Sequence, residues 1–417
     1  MSALLERRNA AFGKGAALFY KDPIQIVKGQ GVELEDETGR KYIDMYNNVP
    51  CVGHAHPHVV EAMHKQASTL NVHSRYLHED IVRLAERLIA LHGPDIENVV
   101  FACSGTEANE IAMNMAQIAT GGTGFICTNG AYHGNSQQVS QLTYVPTDRS
   151  TNVRSIPFPE QFRPITNGSE EELCNAYLAK LQETIDSFSA SGIQFAGLLV
   201  CSILANEGLP NIPKGFMARA SDMVHNAGGV VISDEVQAGY CRTGQWWGYE
   251  VSGLRPDIVV TGKPMGNGLP LAACAASRDL VENYRAKTRY FNTFASSPLQ
   301  AAAGNAVLDV IESENLAANV TEVGSYLKNA LSGLTDRNSQ FAEVRGHGLF
   351  IGLEWVTDKE SNAPNVDGAV AMVNALKEKG FLTSNAGALN NIVKIRPPLV
   401  FTMTHADSFL SAFEECL

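Results

Sequence analysis

PDIVVTGKPMGNGLP (256–270) is an apolar run that delivers Lys263 into a loop of prolines and glycines. Apolar runs of this length, bounded by Gly or polar residues, suit strands buried on both faces. VVISDEVQAGY (230–240) has the same build, with Asp234 and Glu235 where the run stops. Outward from this pair the pattern recurs in NVVFAC (98–103), FICTN (125–129), GLLVC (197–201) and LAACAAS (271–277). Helical stretches alternate with these strands, in EANEIAMNMAQIA (107–119) and FMARASDMVHNAGG (216–229). EDIVRLAERLIALHG (79–93) puts Ile81, Leu84, Ala85, Leu88 and Ile89 on one helix face and stops at Gly93. Such alternation predicts an α/β domain around a mostly parallel sheet flanked by helices.

The two ends differ. Residues 25–46 read as two short strands around an acidic, glycine-containing turn. From about 298 a long helix (PLQAAAGNAVLDVIES) leads to one strand, GHGLFIGLEWV (346–356). A helix (368–380) and a last strand, NIVKIRPPLV (391–400), complete an α+β unit. The expected division is a large domain over 55–297 and a smaller one built from 1–54 and 298–417.

Composition narrows the function. Of 417 residues, 45% are hydrophobic and 18% charged, enough apolar surface for a large folded core. A net charge of −12 with no basic run repels phosphate backbones, so no nucleic-acid partner is expected. The most apolar stretch, AGLLVCSILA (196–205), is too short to span a bilayer, and MSALLERRNA does not read as a signal peptide. No C-x-x-C occurs among the eight cysteines, which reads as reduced thiols in a cytoplasmic protein without membrane association.

Three features carry chemistry. Ser104-Gly105-Thr106-Glu107 joins a strand end to a helix start. It fits an N-capping turn, the commoner use of such residues, or an anion cradle in which backbone N–H groups and the helix dipole hold a phosphate. Asp234 and Glu235 end a strand, where doubly wound sheets place ligand contacts, or are solvated acids at an ordinary junction. Lys263 is a surface lysine, or an amine made nucleophilic by a low dielectric. Together, an anion cradle, an acid and an amine are what pyridoxal phosphate requires.

The residues that settle this are GHAHP (53–57), SGTEAN (104–109), AYHG (131–134), DEVQ (234–237), RTG (242–244), NTF (292–294) and the lysine segment. Over nearly the whole chain the sequence resembles the class III aminotransferases of the fold-type I pyridoxal-phosphate enzymes. The stretch 47–88 further resembles the branch of alanine–glyoxylate-aminotransferase-like proteins and amino-alcohol phosphate phospho-lyases. The resemblance implies pyridoxal 5'-phosphate as cofactor and Lys263 as its Schiff-base lysine and proton shuttle. It implies Asp234 on the pyridine nitrogen, Gln237 on the ring oxygen, Gly105 and Thr106 on the phosphate, and Tyr132 stacked on the ring beside His133. Thr293 corresponds to the residue that reaches the cofactor of a neighbouring subunit, which implies a homodimer or a dimer of dimers with sites at the interface.

GHAHPHVVEAMH (53–64) offers His54, His56 and His58, but Pro57 breaks a regular strand and no metal is expected. At the substrate end, many members carry Glu-Pro where Cys201-Ser202 stand, so the salt-bridge switch made by that Glu is expected to be absent; Glu207 falls several residues later. The family's carboxylate-binding arginine corresponds to Lys394, while Arg396 directly precedes Pro397. Residues 394 and 396 share a strand face, so both are candidates for substrate binding, with Asn48 a third. The implied activity moves an amino group from an amino acid or amine to a keto acid such as pyruvate or glyoxylate. The alternative is a lyase that eliminates phosphate or another β-leaving group and releases ammonia; a non-catalytic binding protein on the same fold is a third reading.

Overall fold

A computed structural model of the chain describes residues 3–143 and 151–417. Near the N-terminus β1 (Ile26–Gln30), β2 (Glu33–Asp36) and β3 (Lys41–Asp44) pair antiparallel in turn. The region 25–46 was expected to hold two strands; it holds three, because Gly31 and Gly39 both turn the chain.

The central sheet comprises β4 (Asn98–Ala102), β5 (Gly124–Thr128), β6 (Val153–Ile156), β7 (Phe195–Val200), β8 (Val230–Asp234), β9 (Ile258–Thr261) and β10 (Ala272–Ala276). Its spatial order is β4-β10-β9-β8-β7-β5-β6. The strands from β9 to β6 are parallel, and β10 alone runs against β4 and β9. Every residue of β5, β7, β8, β9 and β10 is buried, the physical cause of their unbroken apolar runs. One face is covered by the helix Gly105–Thr120, the other by helices Glu170–Ala190 and Phe216–Asn226.

Toward the C-terminus lie β11 (Phe341–His347), β12 (Phe350–Trp355), β13 (Phe381–Leu382), β14 (Ser384–Ala386) and β15 (Ile392–Ile395). The single strand expected over 346–356 instead spans the end of β11, the turn and β12 of a hairpin, since Gly348 and Leu349 break the run. β12, β15 and β14 extend that sheet antiparallel, whereas β13 pairs in parallel with β3. The last helix, Met403–Cys416, buries Phe409 and Phe413 completely. Each such phenylalanine stabilises the fold by about 1.5–3 kcal/mol over an exposed one.

This topology places the carboxyl ends of β4, β7, β8 and β9 around one cleft, the position where open α/β sheets bind ligands. Residues just past β3 and β15 meet nearby: the Arg396 amide donates to Met45 O at 2.6 Å, and Leu399 N to Cys51 O at 2.7 Å.

Candidate active site

The cleft has a volume of about 330 Å³. Lys263, Asp234, Gly105, Thr106, Tyr132, His133 and Gln237, all named from the sequence, line it. β8 and β9 lie in parallel register with Asp234 opposite Val260, so Lys263 follows three residues past the acid's own partner. Lys263 stands open to the cleft, yet the surrounding walls desolvate its amine and hold it below its usual pKa. Asp234 opposes that shift and Arg396 reinforces it.

Asp234 is 6% exposed, and burial alone would push its carboxyl up. Hydrogen bonds outweigh burial and keep it below its ordinary range. Oδ2 lies 2.7 Å from His133 Nδ1 and accepts from Asn109 Nδ2 at 3.0 Å; Oδ1 accepts from Val236 N at 3.0 Å. Asp234 is therefore a carboxylate. His133 Nε2 is buried with no hydrogen-bond partner among the described residues. Asn109 escaped the sequence reading, although an asparagine on the buried face of a helix is a polar group that must find a partner.

At the other end of the cleft, Ser104 caps the helix Gly105–Thr120: its hydroxyl accepts from Glu107 N at 3.2 Å. Glu107 Oε2 in return accepts from Cys103 N at 2.7 Å. Capping and anion binding thus coexist, because Ser104 takes one first-turn donor while Gly105 and Thr106 line the cleft. A Cβ on Gly105 would stand 2.8 Å from Val236 Cγ2, so only glycine lets the helix start this close to the turn that follows β8. Gly134, at φ +146°, similarly brings its backbone against Thr106.

The substrate candidates behave differently from one another. Arg396 donates from Nε to Tyr46 O at 2.9 Å and from Nη1 to Gln237 Oε1, so it touches a cleft residue. Lys394 is 3% exposed, and its Nζ donates to Ala205 O at 2.6 Å. Burial, with Arg396 and Lys263 adding like charge, brings Lys394 down to about 7. Asn48 is buried one residue before Val49, which lines the cleft. Thr293 is exposed and lies outside this chain's own cleft. Cys201 lines the cleft, and Glu207 is buried behind it, accepting from the Thr128 hydroxyl. Burial pushes the Glu207 carboxyl up. The three N-terminal histidines diverge: His54 lies 2.8 Å from Asp44, His56 3.1 Å from Glu314 and His58 3.0 Å from Asp309.

These residues fit pyridoxal phosphate. A glycine cradle at a helix N-terminus suits a phosphate, a carboxylate held ionised in a buried wall suits a pyridinium nitrogen, and a desolvated amine suits an aldehyde. Fold and cleft together define a fold-type I pyridoxal-phosphate enzyme. The profile described as aminotransferase class-III matches residues 19–417. An alanine–glyoxylate aminotransferase 2-like protein of Drosophila melanogaster is 35% identical over 437 residues, spanning 99% of this chain and 86% of the relative. An ethanolamine-phosphate phospho-lyase homolog of Caenorhabditis elegans is 30% identical, spanning 99% and 93%. A phospholyase from Arthrobacter, solved in complex with phosphoethanolamine, superposes with a TM-score of 0.96 at 37% identity over 99% of both chains. The chain belongs to the class-III aminotransferase family, and pyridoxal 5'-phosphate is its cofactor.

Proposed function

We propose that this enzyme transfers an amino group from an amino acid or amine to a keto acid of the pyruvate or glyoxylate type, with Lys263 as the covalent attachment point. The observation that carries this reading is the juxtaposition of Lys263 and Asp234 at the ends of paired strands lining one cleft. When bound, pyridoxal phosphate supplies an aldehyde that condenses with amines and a ring that accepts electrons from the substrate carbon. Asp234 would hold a proton on the ring nitrogen, and His133 and Asn109 keep that carboxylate ionised and aimed. Gly105 and Thr106 would hold the phosphate, Gln237 would donate to the ring oxygen, and Tyr132 would lie against the ring, all four lining the cleft. Lys263 Nζ, once free, would carry the proton from the substrate carbon to the cofactor carbon, and its depressed pKa suits such a base.

A second reading, elimination of phosphate or another β-leaving group with release of ammonia, shares these early steps. It is favoured by the likeness to the Arthrobacter phospholyase and by Arg396, which touches Gln237 of the cleft, whereas Lys394 is turned onto the Ala205 carbonyl. A panel of amino donors and amino-alcohol phosphates, with and without pyruvate, separates the two. Transfer requires the acceptor and leaves the cofactor in its amine form; elimination requires none and releases ammonia and phosphate. Lys263→Ala is expected to give neither product while folding normally, and turnover by that variant would overturn the attachment assignment.

The working unit in this proposal is a homodimer, or a pair of dimers, with Thr293 of each subunit directed to its neighbour's cofactor. In this proposal the large and small domains divide near 54 and 297, and of the residues lining the cleft only Val49 belongs to the small one. A cytoplasmic location is supported by cysteines that form no disulfide among the described residues. No helix there is long and apolar enough to cross a membrane.

A further inference from the structure

Between β7 and Leu209 the chain forms a tight loop on the wall of the cleft. Leu204 (φ 51°) and Leu209 (φ 59°) hold left-handed backbone, which leucine adopts only where the surroundings enforce it. The loop bonds to itself, Leu204 N donating to Cys201 O and Leu209 N to Leu204 O, both at 3.0 Å. It is also anchored on both flanks of Asn206. Lys394 Nζ donates to Ala205 O at 2.6 Å, and the Thr128 hydroxyl donates to Glu207. The residue held between these anchors is Asn206, itself part of the cleft lining.

The orientation of its amide follows from one cation. A guanidinium only donates, so the Gln237 atom facing Arg396 is the oxygen. The nitrogen of Gln237 then faces Asn206 and donates to Oδ1 at 3.0 Å. That leaves Asn206 Nδ2 to donate to Tyr132 O at 3.1 Å. Every member of the chain Arg396–Gln237–Asn206–Tyr132 is satisfied in this one assignment, and Gln237 keeps a second N–H for the cleft.

We propose that Asn206 is a positioning residue that fixes the Gln237 amide and the Tyr132 backbone in one geometry, and so ties the substrate-side cation Arg396 to the walls that hold the cofactor. This rests on the placement of the cofactor between Tyr132 and Gln237. Asn206 itself supplies no proton to the reaction. Its removal frees the Gln237 amide to rotate and leaves the Tyr132 carbonyl without its donor.

The test is a double-mutant cycle on cofactor affinity, read by reconstituting the full-length protein with pyridoxal phosphate. Asn206→Ala and Gln237→Ala are each expected to weaken binding about tenfold, and the double variant no more than about the weaker single. The visible circular-dichroism band of the bound cofactor should change in Asn206→Ala while the far-ultraviolet spectrum stays as in the parent. Unchanged affinity in Asn206→Ala, or losses that multiply in the double variant, would overturn the proposal. Should Asn206→Ala not fold, Asn206→Asp keeps the shape and the acceptor for Gln237 but loses the donor to Tyr132; unchanged affinity there overturns the proposal equally. Failure of the underlying placement looks different: borohydride reduction of the parent holoenzyme would then leave the cofactor on a residue other than Lys263.

Discussion

Asp234 is the residue whose environment does the most to set the chemistry. Burial opposes its charge, and three donors restore it. Asp234→Asn keeps the shape but no longer stabilises a protonated ring nitrogen. Turnover is expected to fall by roughly a hundredfold or more, with the cofactor retained. Stopped-flow rates near those of the parent would remove Asp234 from its role. Lys394 presents the opposite case, a cation driven from 10.5 to about 7 by burial and by neighbouring positive charge. Between those pH values the unfolded chain binds a proton at this lysine that the folded chain does not. Stability from this group therefore rises as pH climbs from about 7 toward 10.5, and the penalty is complete below about 7. Lys394→Met removes the term, so its denaturation midpoint should gain on the parent's at pH 6.5 and lose that advantage by pH 9.5. The change across the window is on the order of a few kcal/mol. Parallel stability–pH curves for the two proteins would mean that Lys394 keeps its charge. The placement of Lys263, Asp234 and Thr106 at one cleft was legible in the sequence because each sits where a regular pattern stops. Asn206 and Asn109 were not, since nothing local marks a polar side chain whose partners lie in other elements.

Elements explain the rest of that legibility. β8 and β9 were visible because a parallel strand covered on both faces must be apolar throughout. The β11–β12 hairpin was not, because GHG reads as the start of an apolar run until its turn is seen. The helix Glu170–Ala190 was also missed, although Ser169 and Glu172 form a reciprocal capping box, a signal written in the sequence as S-x-x-E. In the proposed reading, the helix Gly105–Thr120 is the element on which cofactor affinity depends most directly. Its first turn approaches Val236 so closely that a methyl group on residue 105 would displace it. Gly105→Ala is expected to shift that turn by a few tenths of an ångström and misalign its N–H groups with the phosphate. A roughly tenfold weaker cofactor affinity should follow, at unchanged helix content. An affinity equal to the parent's would indicate that the phosphate is held elsewhere.

At the scale of the whole molecule, the cleft borders a face that a monomer would not ordinarily leave open. Leu77 is 100% exposed, Tyr76 63% and Phe294 65%, and Thr293 stands exposed in the same region of the chain. Tyr76 packs on His73, His73 meets the Phe291 ring edge-on at 5.6 Å, and Arg75 lies 4.2 Å above that ring, so 73–77 and 291–294 form one local surface. Phe291 and Phe294 flank Asn292, whose Oδ1 accepts from Ala295 N and from the Cys103 thiol beside the phosphate loop. In the proposed dimer this apolar patch is the subunit interface, and Thr293 beside it is the residue offered to the neighbouring site. Light scattering should accordingly report about twice 45.0 kDa or a larger even multiple. Leu77→Asp places a charge in the patch without touching the core, and it is expected to shift the protein toward monomer and to loosen the cofactor together. The coupling is the informative part. If Leu77→Asp yields a monomer that binds pyridoxal phosphate as tightly as the parent, each cleft is complete within one chain and Thr293 has no place in the site. If both properties fall in proportion across a dilution series, the interface and the cofactor site are one structure.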